Sequence, residues 1–146
     1  MSENSPPGRL RTVLDTNLFI SSLIRSGGAP DRIVGAWEGG AFLLLTTLEL
    51  IAEFVDVRSR QSFLTGYRPS QSRIATFLRG FAAAEQVTPL AELPIHCRDP
   101  KDDKLLACAL GGGDRDLLVL DGEPALGTRR VLSPQDFLAL IAGRTA

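Results

Sequence analysis

Three short, mostly apolar runs constrain the fold of this chain more than any other feature. They lie at residues 11–14, 42–45 and 117–120, and each is too short for a helix. Such runs are typical of buried strands in a parallel sheet. Segments with helical spacing of apolar residues separate them, and residues 130–132 predict a short edge strand. Strands that alternate with helices predict an α/β fold, so we expect a single α/β/α domain with a mainly parallel central sheet.

The composition fits one domain of this kind. The chain has 146 residues, of which 44 % are hydrophobic and 23 % charged, with a net charge of −1. These values exclude a disordered chain and argue against a nucleic-acid binder that acts through its total charge. Residues 1–9 are polar and contain two prolines and a glycine. We therefore expect a flexible N-terminal tail over residues 1–9 and a domain over residues 10–146.

Cysteine usage and hydropathy indicate the compartment. Cys97 and Cys108 are too few for a disulfide scaffold and do not form a C-x-x-C pair. No run approaches the roughly 18 apolar residues of a membrane span, and the N-terminus lacks an apolar signal core. We expect a cytoplasmic protein with no membrane partner.

The helix after the second strand is predicted in some detail. Thr46 and Glu49 have the spacing of a capping box, which would begin the helix at this point and explain Glu49 structurally. The stripe that we expect to face the core consists of Leu48, Ile51, Ala52 and Val55.

Acidic residues follow the predicted strands. Asp15 ends the first strand and Asp121 the third, while Glu53 follows the second and Asp103 lies in a helix that starts near residue 99. Because the carboxyl ends of parallel strands meet at one edge of a sheet, we expect these side chains to lie close together. Like charges repel unless a cation lies between them. Oxygen-only ligands favour Mg²⁺ or Mn²⁺ over Zn²⁺.

Each of these acids also has a structural interpretation. Asp15 could cap the following helix, as could Asn17. Asp99 is expected to be the N-cap of its helix, and Asp102 a first-turn charge that favours the helix dipole. Asp103 lies beyond the capping positions and is therefore preferred as a functional residue, whose neutralisation should leave the fold intact or more stable. His96, in the preceding loop, is expected to be a surface residue.

A basic segment lies between residues 57 and 84. It contains no acid, and its arginines are Arg58, Arg60, Arg68, Arg73 and Arg79. We predict that they contact the phosphate backbone of a nucleic acid, with nearby aromatic residues stacking on unpaired bases. A solvated helix face, or a surface for a protein partner, is the alternative.

The motifs V-L-D15-T-N17-L-F-I, T-x-E-x-x-x-E53, R98-D-P-K-D-D103-K-L-L-A-C-A and L-L-V-L-D121 resemble the PIN domain family over residues 11–142. More closely, they resemble its branch of VapC-like toxins of toxin–antitoxin systems. This resemblance implies a ribonuclease that hydrolyses RNA phosphodiesters with Mg²⁺ or Mn²⁺, and a cognate antitoxin. A homodimer is a further expectation. By motif, it assigns catalysis to Asp15, Glu53, Asp103 and Asp121. Of these, Asp15, Asp103 and Asp121 would bind the metal, with Asn17 as a polar supporting residue.

One position departs from the family's pattern. The family usually carries Thr or Ser two residues before its last Asp, where this chain has Val119. The alternative function is therefore a PIN-like module that binds RNA or a protein partner without cleaving. A flavodoxin-like phospho-acceptor domain would need paired acids after the first strand, and Asp15 stands there alone.

Overall fold

The structure is a computed structural model that describes residues 10–66, 70–113, 117–120 and 131–145. The side chains of residues 61–65 and 144–145 are not described. Three sequence predictions lie outside the described residues: the tail over residues 1–9, Arg68 and Asp121.

Strands and helices alternate along the chain as the sequence predicts. Their bounds are β1 Leu10–Leu14, α1 Thr16–Ile24, α2 Ala29–Glu38, β2 Phe42–Thr46, α3 Leu48–Thr65, α4 Gln71–Ala83, β3 Glu85–Gln86, a 3₁₀ turn Pro100–Asp102, α5 Asp103–Gly112, β4 Leu117–Val119, β5 Val131–Leu132 and α6 Pro134–Thr145. The described strands form one five-stranded sheet in the order β3-β2-β1-β4-β5. Every pairing in it is parallel, which confirms the predicted fold class.

Helices cover both faces of this sheet. Successive residues of β1 point to opposite faces, so Leu14 and Val13 belong to different apolar clusters. The cluster around Leu14 draws on α1, α2, α3, α4 and α6, whereas the cluster around Val13 draws mainly on α5. In the described ranges, no helix has both the length and the apolar character needed to cross a bilayer.

The start of α3 differs from the prediction by one residue. Thr46 belongs to β2, where its carbonyl oxygen accepts a hydrogen bond from Val87 N at 2.8 Å. The helix is capped instead by Thr47, whose Oγ1 accepts from Leu50 N at 3.1 Å. The predicted capping box between Thr46 and Glu49 is therefore wrong, because the strand runs one residue further than the apolar run.

The buried face of α3 differs as well. Leu50 and Phe54 are 5 % and 1 % exposed, whereas Leu48 is 80 % and Val55 39 % exposed. Of the four residues predicted to face the core, Ile51 packs against it. Each residue along a helix turns by about 100°, so a change of one position moves the apolar stripe to another face.

A candidate active site at the carboxyl edge of the sheet

Asp15 lies where β1 ends and α1 begins. Its backbone N–H donates to Val119 O at 3.2 Å, which fixes this point against β4. Its Oδ1 accepts from Asn17 N at 3.2 Å, so Asp15 is also the N-cap of α1. The capping role and the functional role are compatible, since a carboxylate that accepts one backbone hydrogen bond still has free lone pairs.

A cleft of about 480 Å³ opens next to Asp15. Its acidic residues are Asp15, Asp99 and Asp102, and Leu120 lines it at the end of β4. Asp121, which follows Leu120 in the sequence, lies outside the described residues. The cleft therefore lies at the edge of the sheet where the sequence predicts the site.

Burial and neighbouring acids disfavour the charge on Asp15. The pKa of Asp15 rises from 3.8 to about 6, mainly because burial removes water from the carboxylate. The Asn17 hydrogen bond and the Lys104 charge lower the pKa, while the charges of Asp102 and Glu53 raise it. A proton or a cation at this position would therefore be stabilised.

Asp99 and Asp102 reach the cleft together because they flank a 3₁₀ turn. Asp99 is the N-cap, as predicted, and its Oδ1 accepts from Lys101 N at 3.0 Å. In a 3₁₀ helix the side chains of residues i and i+3 lie on the same side, so Asp102 and Asp99 face the cleft together. The sequence interpretation gave Asp102 only a dipole role. The D-P-x-D spacing, with Pro100 opening a tight turn, is the signal that would have placed it in the cleft.

Asp103 is directed away from the cleft, towards the preceding loop. Its Oδ1 accepts from Cys97 N at 2.7 Å, and its Oδ2 lies 2.9 Å from His96 Nδ1. Burial alone would raise the pKa of Asp103, but the hydrogen bonds from Cys97 and His96 outweigh it and hold the pKa below its usual value. His96 has a side chain that is 68 % exposed, as expected for a surface residue.

Glu53 is paired with a cation of this chain. Its Oε2 forms an ion pair with Lys104 Nζ, and both side chains are more than two-thirds buried. The pair links α3 to α5 beside the cleft, and both charges act on Asp15. Glu53 therefore belongs to the electrostatic surroundings of Asp15, together with Lys104, for which the sequence interpretation found no role.

Two of the predicted RNA-binding arginines have acidic partners from outside the basic segment. Arg73 lies 3.1 Å from Asp31 Oδ1 and its guanidinium lies 5.4 Å from the centre of the Phe77 ring, so it ties α4 to α2. Arg60 lies 3.2 Å from Asp56 Oδ2, in a pair whose side chains are about two-thirds exposed.

The other arginines occupy different surroundings. Arg79 donates to Thr76 Oγ1 at 3.3 Å, one turn away on α4. Arg58 is half-buried, and its Nε has no hydrogen-bond partner in the described part of the chain. The four described arginines are therefore not one uniform surface, because Arg73 serves packing while Arg60 remains accessible.

The donors at the cleft suit a hard cation. Carboxylate oxygens with a nearby amide are the ligands that Mg²⁺ and Mn²⁺ prefer. Burial, followed by the charges of Asp102 and Glu53, raises the pKa of Asp15, and a cation at this position would offset both effects. Within the described ranges, however, no three His, Cys, Asp or Glu side chains are placed closely enough to hold an ion. The described residues thus fit a metal by charge and donor type, without a complete set of ligands.

Comparisons with known proteins place the chain in a family. A family model described as PIN domain matches residues 11–121, which include Asp15, Glu53, Asp99, Asp102 and Asp103. A relative described as uncharacterized protein MJ1680, from Methanocaldococcus jannaschii, is 27 % identical over 122 residues, covering 79 % of this chain and 77 % of the relative. No solved structure matches the chain. Because the family model spans most of the chain, this protein belongs to the PIN domain family.

Proposed function

We propose that this protein is a metal-dependent endoribonuclease that hydrolyses phosphodiester bonds of RNA. PIN domains are generally nucleases, and nucleic acid is the substrate that this family implies. The observation that carries the proposal is Asp15, a partly buried carboxylate at the end of β1 whose pKa is raised to about 6 beside Asp102 and Glu53. Burying such a charge destabilises the protein unless the site serves a cation or a proton.

The metal, Mg²⁺ or Mn²⁺, would be held by Asp15 and Asp121, with a third carboxylate from the segment 99–103. The family resemblance assigns this third position to Asp103, whereas the cleft geometry favours Asp102. A bound divalent ion supplies charge neutralisation at the phosphate and an activated water.

The remaining site residues orient this centre. Asn17, two residues after Asp15, is a supporting residue on the cleft wall. Lys104 holds Glu53 next to Asp15 and offsets part of the negative charge before a metal binds. Asp103 fixes the loop that leads into the 3₁₀ turn through its bonds to His96 and Cys97.

RNA outside the cleft would contact the arginines of the basic segment between residues 57 and 84. The proposed set is Arg58, Arg60, Arg68, Arg73 and Arg79. Exposure favours Arg60 within it, since its pair with Asp56 is exposed and exchanges readily with solvent. Arg73 is the least suited, because its charge already has a partner on α2.

The direct test is cleavage of RNA by the purified protein with Mg²⁺, with Mn²⁺ and with a chelator. We expect products only with metal, and a loss of at least about 100-fold in rate for Asp15→Asn, the order seen when a main charge-stabilising group is removed. Glu38→Gln is the matched control, since Glu38 is an exposed acid at the end of α2 that does not line the cleft. Equal cleavage by Asp15→Asn and the parent would refute the proposal.

We further propose that the nuclease acts in the cytoplasm as the toxin of a toxin–antitoxin pair, with a cognate antitoxin and as a homodimer. The support is the resemblance of the D-T-N opening and the R-D-P-K-D-D-K block to the toxin branch. A small adjacent gene for a DNA-binding protein, whose co-expression relieves growth arrest, is the expected finding. Growth arrest that the neighbouring gene product does not relieve would contradict the pairing.

A PIN-like module that binds without cleaving is the second candidate. It is favoured by the absence of three clustered metal ligands among the described residues and by Val119, which is fully buried and has no hydroxyl. This candidate predicts RNA or protein binding with no product in any metal. Metal-dependent cleavage that Asp15→Asn abolishes would exclude it.

A further inference from the structure

The cleft has a neutral polar wall in addition to its acids. Ser21 follows Asn17 by four residues on α1, so the two share a helix face, and both line the cleft. Gln135, the second residue of α6, lines it as well. Within the described ranges neither Ser21 nor Gln135 has a side-chain hydrogen bond. Their hydrogen-bonding groups are therefore available to a molecule in the cleft.

Neither side chain is needed to hold its helix. The first turn of α6 is capped by Ser133, whose Oγ accepts from Asp136 N at 3.1 Å, so Gln135 has no capping duty. Gln135 is exposed and Ser21 half-buried, and the apolar interior of α1 lies instead at Phe19 and Leu23. The α6 wall also lies beyond residues 11–121, so it is a feature of this chain outside the matched family region.

The chemistry of the cleft indicates which part of a nucleotide this wall would meet. No aromatic side chain is among the described residues that line the cleft, so base stacking cannot supply recognition there. The carboxylates repel phosphate oxygens except where a cation neutralises them. The sugar next to that phosphate carries no charge and is therefore the group best suited to a neutral polar wall.

We propose that Ser21 and Gln135 hydrogen-bond the ribose 2′-hydroxyl and so select RNA over DNA. This inference rests on the proposed nuclease function and specifies its substrate. A hydroxyl and an amide can each donate and accept, as the 2′-hydroxyl does, and that hydroxyl is what distinguishes RNA from DNA at a given position. Both residues are specificity-determining and take no part in the chemical step.

The test compares RNA and DNA oligonucleotides of one sequence, by affinity in Ca²⁺, a divalent cation that binds carboxylate oxygens, and by cleavage in Mn²⁺. The variants are Ser21→Ala, Gln135→Ala and their combination. Gln71→Ala is the matched control, since Gln71 is an exposed glutamine at the start of α4 that does not line the cleft. Thermal melts confirm that every variant is folded.

We expect the parent to bind RNA more tightly than DNA. Each alanine variant should reduce this preference by roughly 2- to 13-fold, the range for one hydrogen bond, with affinity for DNA unchanged. An unchanged RNA-to-DNA affinity ratio in the double variant, or no preference in the parent, would overturn the inference. The proposed function fails separately, if the parent cleaves neither oligonucleotide in Mn²⁺ whatever the affinities are.

Discussion

The charge on Asp15 makes the metal-free protein less stable than it would otherwise be. Its pKa is raised from 3.8 to about 6, so the folded state holds this proton more tightly than the unfolded state does. The loss of folding free energy caused by this charge is absent below the pKa of Asp15 in the unfolded state. It grows as the pH rises from about 4 to 6 and is complete above 6.

Asp15→Asn should therefore stabilise the metal-free protein. The asparagine Oδ1 still accepts from Asn17 N, so the α1 cap is kept while the charge is removed. We expect a gain of at most about 3 kcal/mol in the free energy of unfolding at pH 7, and a difference close to zero at pH 4. Urea denaturation in a chelator at both pH values measures it, with Asp56→Asn as the control. A variant that is less stable than the parent at pH 7 would contradict the conclusion that the charge on Asp15 destabilises the folded protein.

Asp103→Asn should have the opposite effect. The change removes charge-assisted hydrogen bonds that tie Cys97 N and His96 to α5, so we expect a loss of about 1–2 kcal/mol. These hydrogen bonds hold the pKa of Asp103 in the folded protein below its value in the unfolded chain. Their contribution to stability is therefore present above the unfolded-state pKa and is lost as the pH falls through the folded-state pKa. Denaturation of both variants side by side measures it. The sequence analysis instead expects that neutralising Asp103 leaves the fold intact or more stable. Equal stability of Asp103→Asn and the parent would support that expectation and contradict a structural role for these hydrogen bonds.

At the scale of elements, the junction of the 3₁₀ turn with α5 decides which acid faces the cleft. Asp99 and Asp102 line the cleft, whereas Asp103, one residue later, bonds to the loop at 96–97. One residue in a 3₁₀ turn corresponds to about 120° around the axis, enough to separate neighbouring carboxylates.

Metal binding should distinguish the role of Asp102 from that of Asp103. We expect Asp102→Asn to reduce the stabilisation that Mn²⁺ gives to the protein, and Asp103→Asn to keep most of it from a lower starting stability. Thermal shift measured against Mn²⁺ concentration reports the affinity independently of nuclease activity. If Asp103→Asn loses the metal response and Asp102→Asn retains it, the assignment by family resemblance is correct and the one by cleft geometry is not.

At the scale of the whole molecule, the net charge of −1 provides no general attraction for RNA. Under the proposed function, contact with RNA phosphates would therefore depend on local arginines, which the tertiary structure makes unequal. Arg60 pairs with Asp56 at the surface, whereas Arg73 links α4 to Asp31 of α2.

The salt dependence of RNA binding should distinguish Arg60 from Arg73. We expect Arg60→Ala to reduce the slope of log affinity against log salt by about 0.7, the value for one phosphate contact on a single strand. Arg73→Ala should reduce the slope by less than Arg60→Ala does, because Asp31 already pairs with Arg73, and should lower the melting temperature. Affinity measured over a series of salt concentrations decides this, and equal slopes for the parent and Arg60→Ala would indicate that this face of α3 does not contact RNA.

Local sequence patterns are sufficient to predict the fold class and the edge of the sheet at which the candidate site lies. Short apolar runs and the helical segments between them are local patterns, and each run becomes a strand of the parallel sheet. A carboxylate directly after such a run must lie at the carboxyl edge, so the cleft location beside Asp15 follows from the sequence.

Which side of each helix faces inward depends on packing between elements and could not be predicted from local patterns. A one-residue extension of β2 exposed Leu48 and buried Leu50, and a 3₁₀ turn placed Asp102 rather than Asp103 in the cleft. Likewise, Asp31 became the partner of Arg73 across 42 positions of the chain. Rotation about a helix axis depends on packing between segments that are distant in the sequence, and residues one position apart differ by 100° or more. The sequence therefore determines the edge of the sheet where the acids gather, and the packing determines which of them face the cleft.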